Sequence, residues 1–229
     1  HTDFNDGYVF PMTLAQGVYI AIRARDDCRV RVVSLRYGEM VDYELTDFEV
    51  TKPGSWQSYV LGVVEELRLR GHLNRGFEAV VDGNLVLGAG LSSSAALEVA
   101  TAISLQQVFE FGMDRVEIVK LCQHVEHHYA NVLCGIMDQF ASILSRKDHL
   151  ILLDCRSLEA SYIPANFDGY TLLLLNTMVS HSLAESEYNS RRAECEQVVS
   201  IARKTYSEIS SLRDLNFDLL KQITKELSE

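Results

Sequence analysis

Residues 87–96 read LGAGLSSSAA and lie between an apolar, strand-like run and a long helical pattern. Gly88 and Gly90 allow backbone bends that other residues resist, and they leave backbone N–H groups uncovered. The three serines that follow add hydroxyl groups, and Ser94 is predicted to cap the next helix. A loop of this kind at a helix N-terminus predicts an anion site, most often for phosphate. The glycine spacing fits neither the Walker loop nor the dinucleotide fingerprint, and the alternative is a simple connecting turn.

The composition is that of a globular chain with an acidic surface. The chain has 229 residues, of which 47% are hydrophobic and 23% are charged, enough to bury a core. The net charge of −11 argues against nonspecific nucleic-acid binding, and no apolar run is long enough to span a bilayer. The five cysteines are widely spaced and form no CxxC pair. We therefore expect free thiols in a reducing compartment, which predicts a cytoplasmic location.

The residue pattern predicts an α/β fold built from short strands and amphipathic helices. Strands are predicted within 9–24 and over 29–35, 41–50, 76–82, 150–154 and 170–176. Helices are predicted over 56–70, 94–111, 114–133, 136–145 and 183–206, and Asp114 is the expected cap of the third. The polar turn 166–169 is the best candidate for a boundary between two domains.

Two carboxylates are candidates for chemistry, each with a structural alternative. Asp138 follows a glycine at a predicted helix start, so it is either a general base or a cap and first-turn charge suited to the helix dipole. Glu126 lies in the middle of a predicted helix, so it is either a Mg²⁺ ligand or a solvated surface charge.

Aromatic and polar side chains elsewhere leave similar alternatives. Trp56 and Tyr59 either flank an adenine base or anchor their helix in the core. Asp3 precedes a tight turn and either binds sugar hydroxyls or stabilises the turn. Tyr188 lies in a charged helical segment, where a tyrosine usually packs with its hydroxyl in water.

Taken together, these blocks resemble one protein family. Residues 1–12, HTDFNDGYVFPM, resemble the opening signature of the galactokinases, and residues 87–98, LGAGLSSSAALE, resemble the phosphate loop of the GHMP kinases. Galactokinase segments are also resembled, in family order, by CGIMDQF at 134–140, HLILLDCRSLE at 149–159 and HSLAESEYNSRRAECE at 181–196.

This resemblance implies the GHMP kinase fold, an α/β two-layer architecture. An N-terminal domain of ribosomal protein S5 domain 2-like type is expected over 1–168, and the start of a C-terminal domain over 169–229. The implied activity is ATP- and Mg²⁺-dependent phosphorylation of galactose at C1, with no nucleic-acid or membrane partner. The alternatives are a related kinase acting on N-acetylgalactosamine and a sensor that binds galactose and ATP without turnover.

The resemblance also implies a role for each site residue. Asp138 is expected to accept the proton of the C1 hydroxyl. The implied sugar contacts are His1, Asp3, Gly135, Asp138 and Tyr188. The implied ATP contacts are Gly88, Gly90, Ser92, Ser93, Trp56 and Tyr59, and the implied Mg²⁺ ligands are Ser92 and Glu126.

The sequence departs from the family pattern in several places. The arginine that pairs with the catalytic aspartate and a glutamate near it precede the opening signature in the family, and the third, glycine-rich motif comes later than residue 229. The proline two residues before the first loop glycine is Val86 here. We therefore expect that both ends are cut and that this chain alone lacks full activity.

Overall fold

The computed structural model describes residues 2–47, 53–86, 88–175 and 184–224, apart from the side chains of 184–187. Its strands are β1 Tyr8–Val9, β2 Val18–Ala24, β3 Arg29–Ser34, β4 Glu39–Glu44, β5 Phe77–Gly83, β6 His149–Asp154 and β7 Ala160–Pro164. Its helices are α1 Trp56–Leu69, α2 Ser93–Phe109, α3 Arg115–Tyr129, α4 Met137–Leu144, α5 Ala184–Thr205 and α6 Phe217–Ile223. Short 3₁₀ turns lie at Asp3–Asn5 and Leu212–Asp214.

A four-stranded sheet with the order β2-β5-β3-β4 forms one layer, and helices α1, α2 and α3 form the other. Strands β3 and β5 are parallel, and the other neighbours are antiparallel. Val30 pairs with Phe77 and Val32 with Ala79, and all four side chains are buried. Because alternate residues of a strand point to opposite faces, this register directs one apolar row towards the helices.

A smaller sheet with the order β1-β6-β7 carries a second core. Ile151 and Leu153 of β6 are fully buried and cluster with Phe140 of α4 and Val119 of α3. The second core therefore anchors α4, the helix that contains Asp138, next to the main helical layer.

Most of the predicted elements are present, with ends shifted by a few residues. Asp114 caps α3 in a capping box with Glu117, as predicted. The predicted cap at Ser94 is wrong, because Ser92 is the N-cap residue of α2 and Ser94 lies inside the first turn. Within the described residues, no helix is both long and apolar enough to cross a bilayer.

The apolar run that starts at Tyr170 is a clear departure from the prediction. Residues 170–175 form no strand, and Asn176, the last residue of the predicted strand, lies outside the described residues. Leu172, Leu173, Leu174 and Leu175 are all exposed. A strand needs a neighbour for its peptide groups, and neither of the two sheets described offers one to this run.

Candidate active site

The phosphate-type loop has a backbone of alternating handedness. Gly88, Gly90 and Ser92 have positive φ angles of 66°, 70° and 52°, whereas Ala89 and Leu91 between them do not. Successive N–H groups in such an alternation converge into a concave anion site. The 17-residue helix α2 starts at Ser93, directly after the loop, so its positive end faces the same site. No acidic residue in its first turn offsets this positive end.

Asp138 lies in the first turn of α4, but it does not cap the helix. The N-cap residue is Ile136, and no side chain caps this helix end, so the cap part of the alternative is wrong. The other part is confirmed, because Asp138 is the acidic residue of the first turn, where it suits the helix dipole. Ser92 lies beside the Asp138 carboxylate. Burial raises the pKa of Asp138 above its usual range; the neighbouring Ser92 hydroxyl opposes this shift, and the nearby charge of Asp3 adds to it. The carboxylate is therefore more basic than one exposed to water.

Asp3 and Gly135 are in very close contact. A Cβ on Gly135 would lie 2.0 Å from Asp3 Oδ2 and 2.1 Å from its Cγ, so only glycine fits at this position. The Asp3 side chain is buried, and its Oδ1 has no hydrogen-bond partner among the described residues. Since buried carboxylate oxygens normally accept hydrogen bonds, Oδ1 indicates a place for a donor from outside the chain.

Tyr188, on α5, completes this end of the site. Its hydroxyl accepts a hydrogen bond from the Gly135 N–H at 3.3 Å, and its ring packs edge-on against Phe4 at 5.4 Å. Burial raises the pKa of Tyr188, and the charges of Asp3 and Asp138 raise it further. Four of the predicted sugar contacts are thus brought together, while His1 lies outside the described residues.

One cleft of about 1180 Å³ joins the loop to the predicted base. Its walls include Gly90, Ser92 and Asp138, together with residues 8–14. The predicted phosphate loop and the predicted base therefore open into the same space, although 46 positions of sequence separate Ser92 from Asp138.

Glu126 is buried rather than solvated, so the interpretation as a surface charge is wrong. Its Oε1 accepts a hydrogen bond from the Ser94 hydroxyl at 2.9 Å. Its Oε2 accepts bonds from Gln139 Nε2 at 2.6 Å and Cys134 Sγ at 3.3 Å. Burial raises the pKa of Glu126, and the hydrogen bonds oppose the shift. The structure thus places Ser94 beside Glu126 and Ser92 beside Asp138.

Glu98 is a buried acid that the sequence pattern did not predict as part of the site. Its side chain is fully buried, and burial together with the neighbouring Glu126 raises its pKa well above the usual range. Gln139 Nε2 donates to Glu98 Oε2 at 3.4 Å, whereas Glu98 Oε1 and Gln139 Oε1 have no partner among the described residues. A neutral carboxylic acid supplies a donor that a carboxylate lacks. The i,i+4 spacing from Ser94, which places both side chains on one face of α2, is the signal that could have suggested Glu98.

The predicted adenine contacts lie elsewhere. Trp56 is buried in the main core, where its Nε1 donates to Glu39 Oε2 at 2.8 Å and its ring stacks on Tyr37 at 6.2 Å. Tyr59 packs against the same core. Neither residue lines the cleft, so contact with adenine stays a prediction.

Comparisons with known sequence families agree with this geometry. Residues 58–146 match the GHMP kinases N terminal domain, and residues 1–24 match the galactokinase galactose-binding signature.

Curated relatives are similar over nearly the whole chain. The Clostridium acetobutylicum galactokinase is 39% identical over 99% of this chain and 59% of the relative. The Thermotoga petrophila galactokinase is 39% identical over 100% of this chain and 65% of the relative. The Bacillus subtilis galactokinase is 40% identical over 94% of this chain and 56% of the relative. The chain thus spans about three fifths of the length of the curated relatives it matches.

Solved structures support the predicted fold. The Lactococcus lactis galactokinase complexed with galactose is similar with a TM-score of 0.91 and 32% identity, covering 100% of this chain and 60% of that one. The Methanococcus jannaschii mevalonate kinase shares the fold alone, with a TM-score of 0.59 and 14% identity, covering 96% of this chain and 73% of that one. The predicted GHMP kinase fold is confirmed. The chain belongs to the GHMP kinase family, and its whole length is similar to the N-terminal part of galactokinases.

Proposed function

We propose that the protein carrying this chain is a galactokinase, which transfers the γ-phosphate of ATP to the C1 hydroxyl of galactose. One observation carries the proposal. Asp3, Gly135, Asp138 and Tyr188 converge next to a phosphate-type loop. They do so in a chain that is 39% identical to galactokinases along its length.

The loop and α2 are suited to hold the phosphates of ATP. Phosphoryl transfer depends mainly on positioning and on stabilising negative charge. The N–H groups around Gly88 and Gly90 and the positive end of α2 supply both without a charged side chain. The hydroxyls of Ser92 and Ser93 are the additional phosphate donors in this proposal.

Asp138 is the general base. It accepts the proton of the C1 hydroxyl while that oxygen attacks the γ-phosphorus, and the bond from the γ-phosphorus to the oxygen of ADP breaks. Burial raises the pKa of Asp138, which strengthens it as a base. Ser92, beside the carboxylate, links its position to the phosphate loop.

The sugar binds at Asp3, Gly135 and Tyr188. Asp3 Oδ1, buried and without a partner among the described residues, is the acceptor for a sugar hydroxyl. Gly135 makes room for the Asp3 carboxylate, which lies where a side chain on residue 135 would be. His1, two residues before Asp3 in sequence, is included as a further sugar contact.

The residues around Glu126 fit Mg²⁺. A hydroxyl oxygen and a buried carboxylate oxygen lie 2.9 Å apart at Ser94 and Glu126, and hard oxygen donors of this kind are the ligands Mg²⁺ prefers. We assign Glu126 and Ser92, as the sequence predicts, and add Ser94 from its contact with the carboxylate. The bound ion supplies positive charge that neutralises the phosphates.

The remaining assignments are part of the same proposal. Trp56 and Tyr59 are assigned to the adenine end of ATP, and the domain boundary is assigned to 166–169. A cytoplasmic location is supported by the five cysteines, all of which are free thiols.

The test is ADP release from Mg²⁺-ATP by the protein that carries this chain. Galactose, N-acetylgalactosamine, homoserine and mevalonate are offered separately, with ATP binding measured in parallel. We expect release with galactose alone. Release only with another acceptor would overturn the sugar site and leave the phosphate loop standing. No release from protein that binds both ATP and galactose would favour the sensor.

A further inference from the structure

The loop at residues 131–135 carries the sugar end of the site, yet it has no regular secondary structure. It connects α3 to α4 and ends at Gly135, three residues before Asp138. Asn131 adopts the left-handed conformation, with a φ of 59°. Peptide groups outside helices and sheets need other partners, so the side chains around this loop determine where it lies.

Asn189 of α5 bonds to the loop at two points. Its Oδ1 accepts a hydrogen bond from the Leu133 N–H at 2.9 Å, and its Nδ2 donates to the Asn131 carbonyl at 2.8 Å. The amide side chain offers one donor and one acceptor side by side, as a peptide group in a neighbouring strand does. It therefore holds two peptide groups of the loop in one fixed relation.

Arg192 donates hydrogen bonds to two further carbonyl groups of the loop. Its Nη1 donates to Leu133 O at 2.8 Å and to Cys134 O at 3.4 Å. Its Nε donates to Glu196 Oε1 at 2.9 Å, one turn further along α5, which orients the guanidinium group. The planar arginine fork is rigid, so these bonds define a direction as well as a distance.

The two side chains act next to a sugar contact. Residues 188 and 189 both neighbour residue 192 on α5, since positions three and four residues apart share a helix face. The first of them, Tyr188, bonds to Gly135 itself. Side chains from fewer than two turns of α5 thus form hydrogen bonds along the loop from Asn131 to Gly135.

We propose that Asn189 and Arg192 are positioning residues that hold the 131–135 loop and so set the distance of Gly135 from Asp3. This inference rests on the proposed function. The loop leads directly into α4, so a shift of the loop also moves Asp138 relative to the sugar. Neither residue needs to touch the substrate, and no hydrogen bond or ion pair within the described part of the chain joins them to the phosphate loop.

The kinetic test compares Arg192→Ala and Asn189→Leu with the matched control Arg191→Ala. Arg191 is exposed, and among the described residues its bonds stay within α5, to Glu194 at 2.7 Å and 3.0 Å. We expect Arg192→Ala and Asn189→Leu to raise the galactose KM roughly 10- to 100-fold, as the loss of one or two hydrogen bonds to fixed groups predicts. The ATP KM stays within about twofold, because the phosphate loop is intact. Arg192→Lys, which keeps one donor, is expected to recover part of the loss.

A second measurement follows the loop itself by hydrogen exchange and mass spectrometry. The peptide containing Leu133 and Gly135 is expected to exchange faster in Arg192→Ala and Asn189→Leu, and at the wild-type rate in Arg191→Ala. Unchanged exchange, or faster exchange with an unchanged galactose KM, would overturn the inference. If the wild-type protein phosphorylates no galactose, the proposed function fails. Exchange measured with and without galactose then decides whether the loop is held and whether it senses the sugar.

Discussion

The phosphate loop at 88–93 and the sugar end of the site differ in how the chain builds them. The loop is one continuous stretch, and its chemistry comes from backbone N–H groups and a helix end. The sugar end combines three side chains and one glycine from four elements or loops that are up to 185 positions apart in sequence, from Asp3 to Tyr188. A contiguous backbone site depends on local conformational preferences, whereas a dispersed side-chain site depends on the packing of the whole chain.

Loss of the base tests the sugar end most severely. We expect Asp138→Asn to lower kcat roughly 10²- to 10⁴-fold, because a general base typically contributes that factor. ATP binding, measured by calorimetry, should change little, since the loop backbone is untouched. A turnover within a few-fold of wild type would contradict the assignment of Asp138.

Gly135→Ala is the next largest expected effect. The new Cβ would meet Asp3 at 2.0 Å, so the carboxylate or the loop must move. Overpacking of this kind costs about 1–3 kcal/mol, which predicts a rise in the galactose KM of roughly ten- to a hundredfold. Gly112→Ala is the matched control, because nothing lies within 4 Å of a Cβ there. Equal kinetics for these two variants would show that the contact with Asp3 has no part in sugar binding.

Gly90→Ala tests the loop by a different mechanism. A Cβ at Gly90 meets nothing within 4 Å, but its φ of +70° is unfavourable for alanine. The strain is worth about 1–2 kcal/mol and should raise the ATP KM about tenfold while the galactose KM stays the same. Steady-state kinetics with each substrate varied in turn check this. A rise confined to the galactose KM would contradict the assignment of the loop to phosphate binding and place Gly90 at the sugar end of the site.

Tyr188→Phe should have a smaller effect than either glycine variant. It removes the hydroxyl that accepts from the Gly135 N–H and keeps the ring that packs on Phe4. The loss of one neutral hydrogen bond is worth about 0.5–1.5 kcal/mol, so the galactose KM should rise roughly two- to tenfold. A loss as large as that of Asp138→Asn would indicate that the hydroxyl takes part in the reaction rather than in binding.

Glu98→Gln tests the contact between α2, which follows the phosphate loop, and α4, which contains Asp138. Its readout is stability rather than turnover. Glu98 belongs to α2, and its partner Gln139 follows Asp138 in α4. Burial raises the folded pKa of Glu98 well above the 4.5 of an unfolded chain, so the folded state keeps a proton that the unfolded state releases. The contribution of Glu98 to stability is fully present below about pH 4.5, the unfolded pKa, and is lost as the pH rises towards the folded pKa.

We therefore expect the wild-type Tm to fall as the pH rises above about 4.5, with this group lowering the free energy of unfolding by up to about 1.4 kcal/mol per pH unit. Glu98→Gln should make the fall shallower, because glutamine does not titrate. Thermal unfolding in EDTA without nucleotide measures this, with Glu159→Gln at an exposed position as the control. Parallel pH profiles for wild type and Glu98→Gln would show that Glu98 is not held neutral.

Helical periodicity predicted α1, α2 and α3 within a few residues, since each helix places one apolar face on a large core. Strand predictions succeeded where alternation met a paired neighbour, as at Val30 and Val32. Where pairing with a neighbouring strand decides whether a strand forms, the local pattern gave a wrong prediction or none. The run 170–175 forms no strand in spite of its leucines, and β7 Ala160–Pro164 was missed because a short segment ending in proline predicts little.

The site divides along the same line. The phosphate loop was predictable, because glycine spacing and a following helix are local properties of the chain. The resemblance to known kinases indicated Asp3, Gly135, Asp138 and Tyr188, but only the structure shows why Gly135 has no side chain.

The amino-acid sequence by itself determined the backbone conformation of the phosphate loop, the helix that follows it and the family to which the chain belongs. The tertiary structure decided which serine faces which carboxylate: Ser92 lies beside Asp138, and the Ser94 hydroxyl donates a hydrogen bond to Glu126. It also decided that Asn189 and Arg192 reach the 131–135 loop. The physical reason is range, because φ and ψ preferences act between neighbours in sequence, whereas burial and hydrogen bonding between distant side chains exist only once the helices are packed.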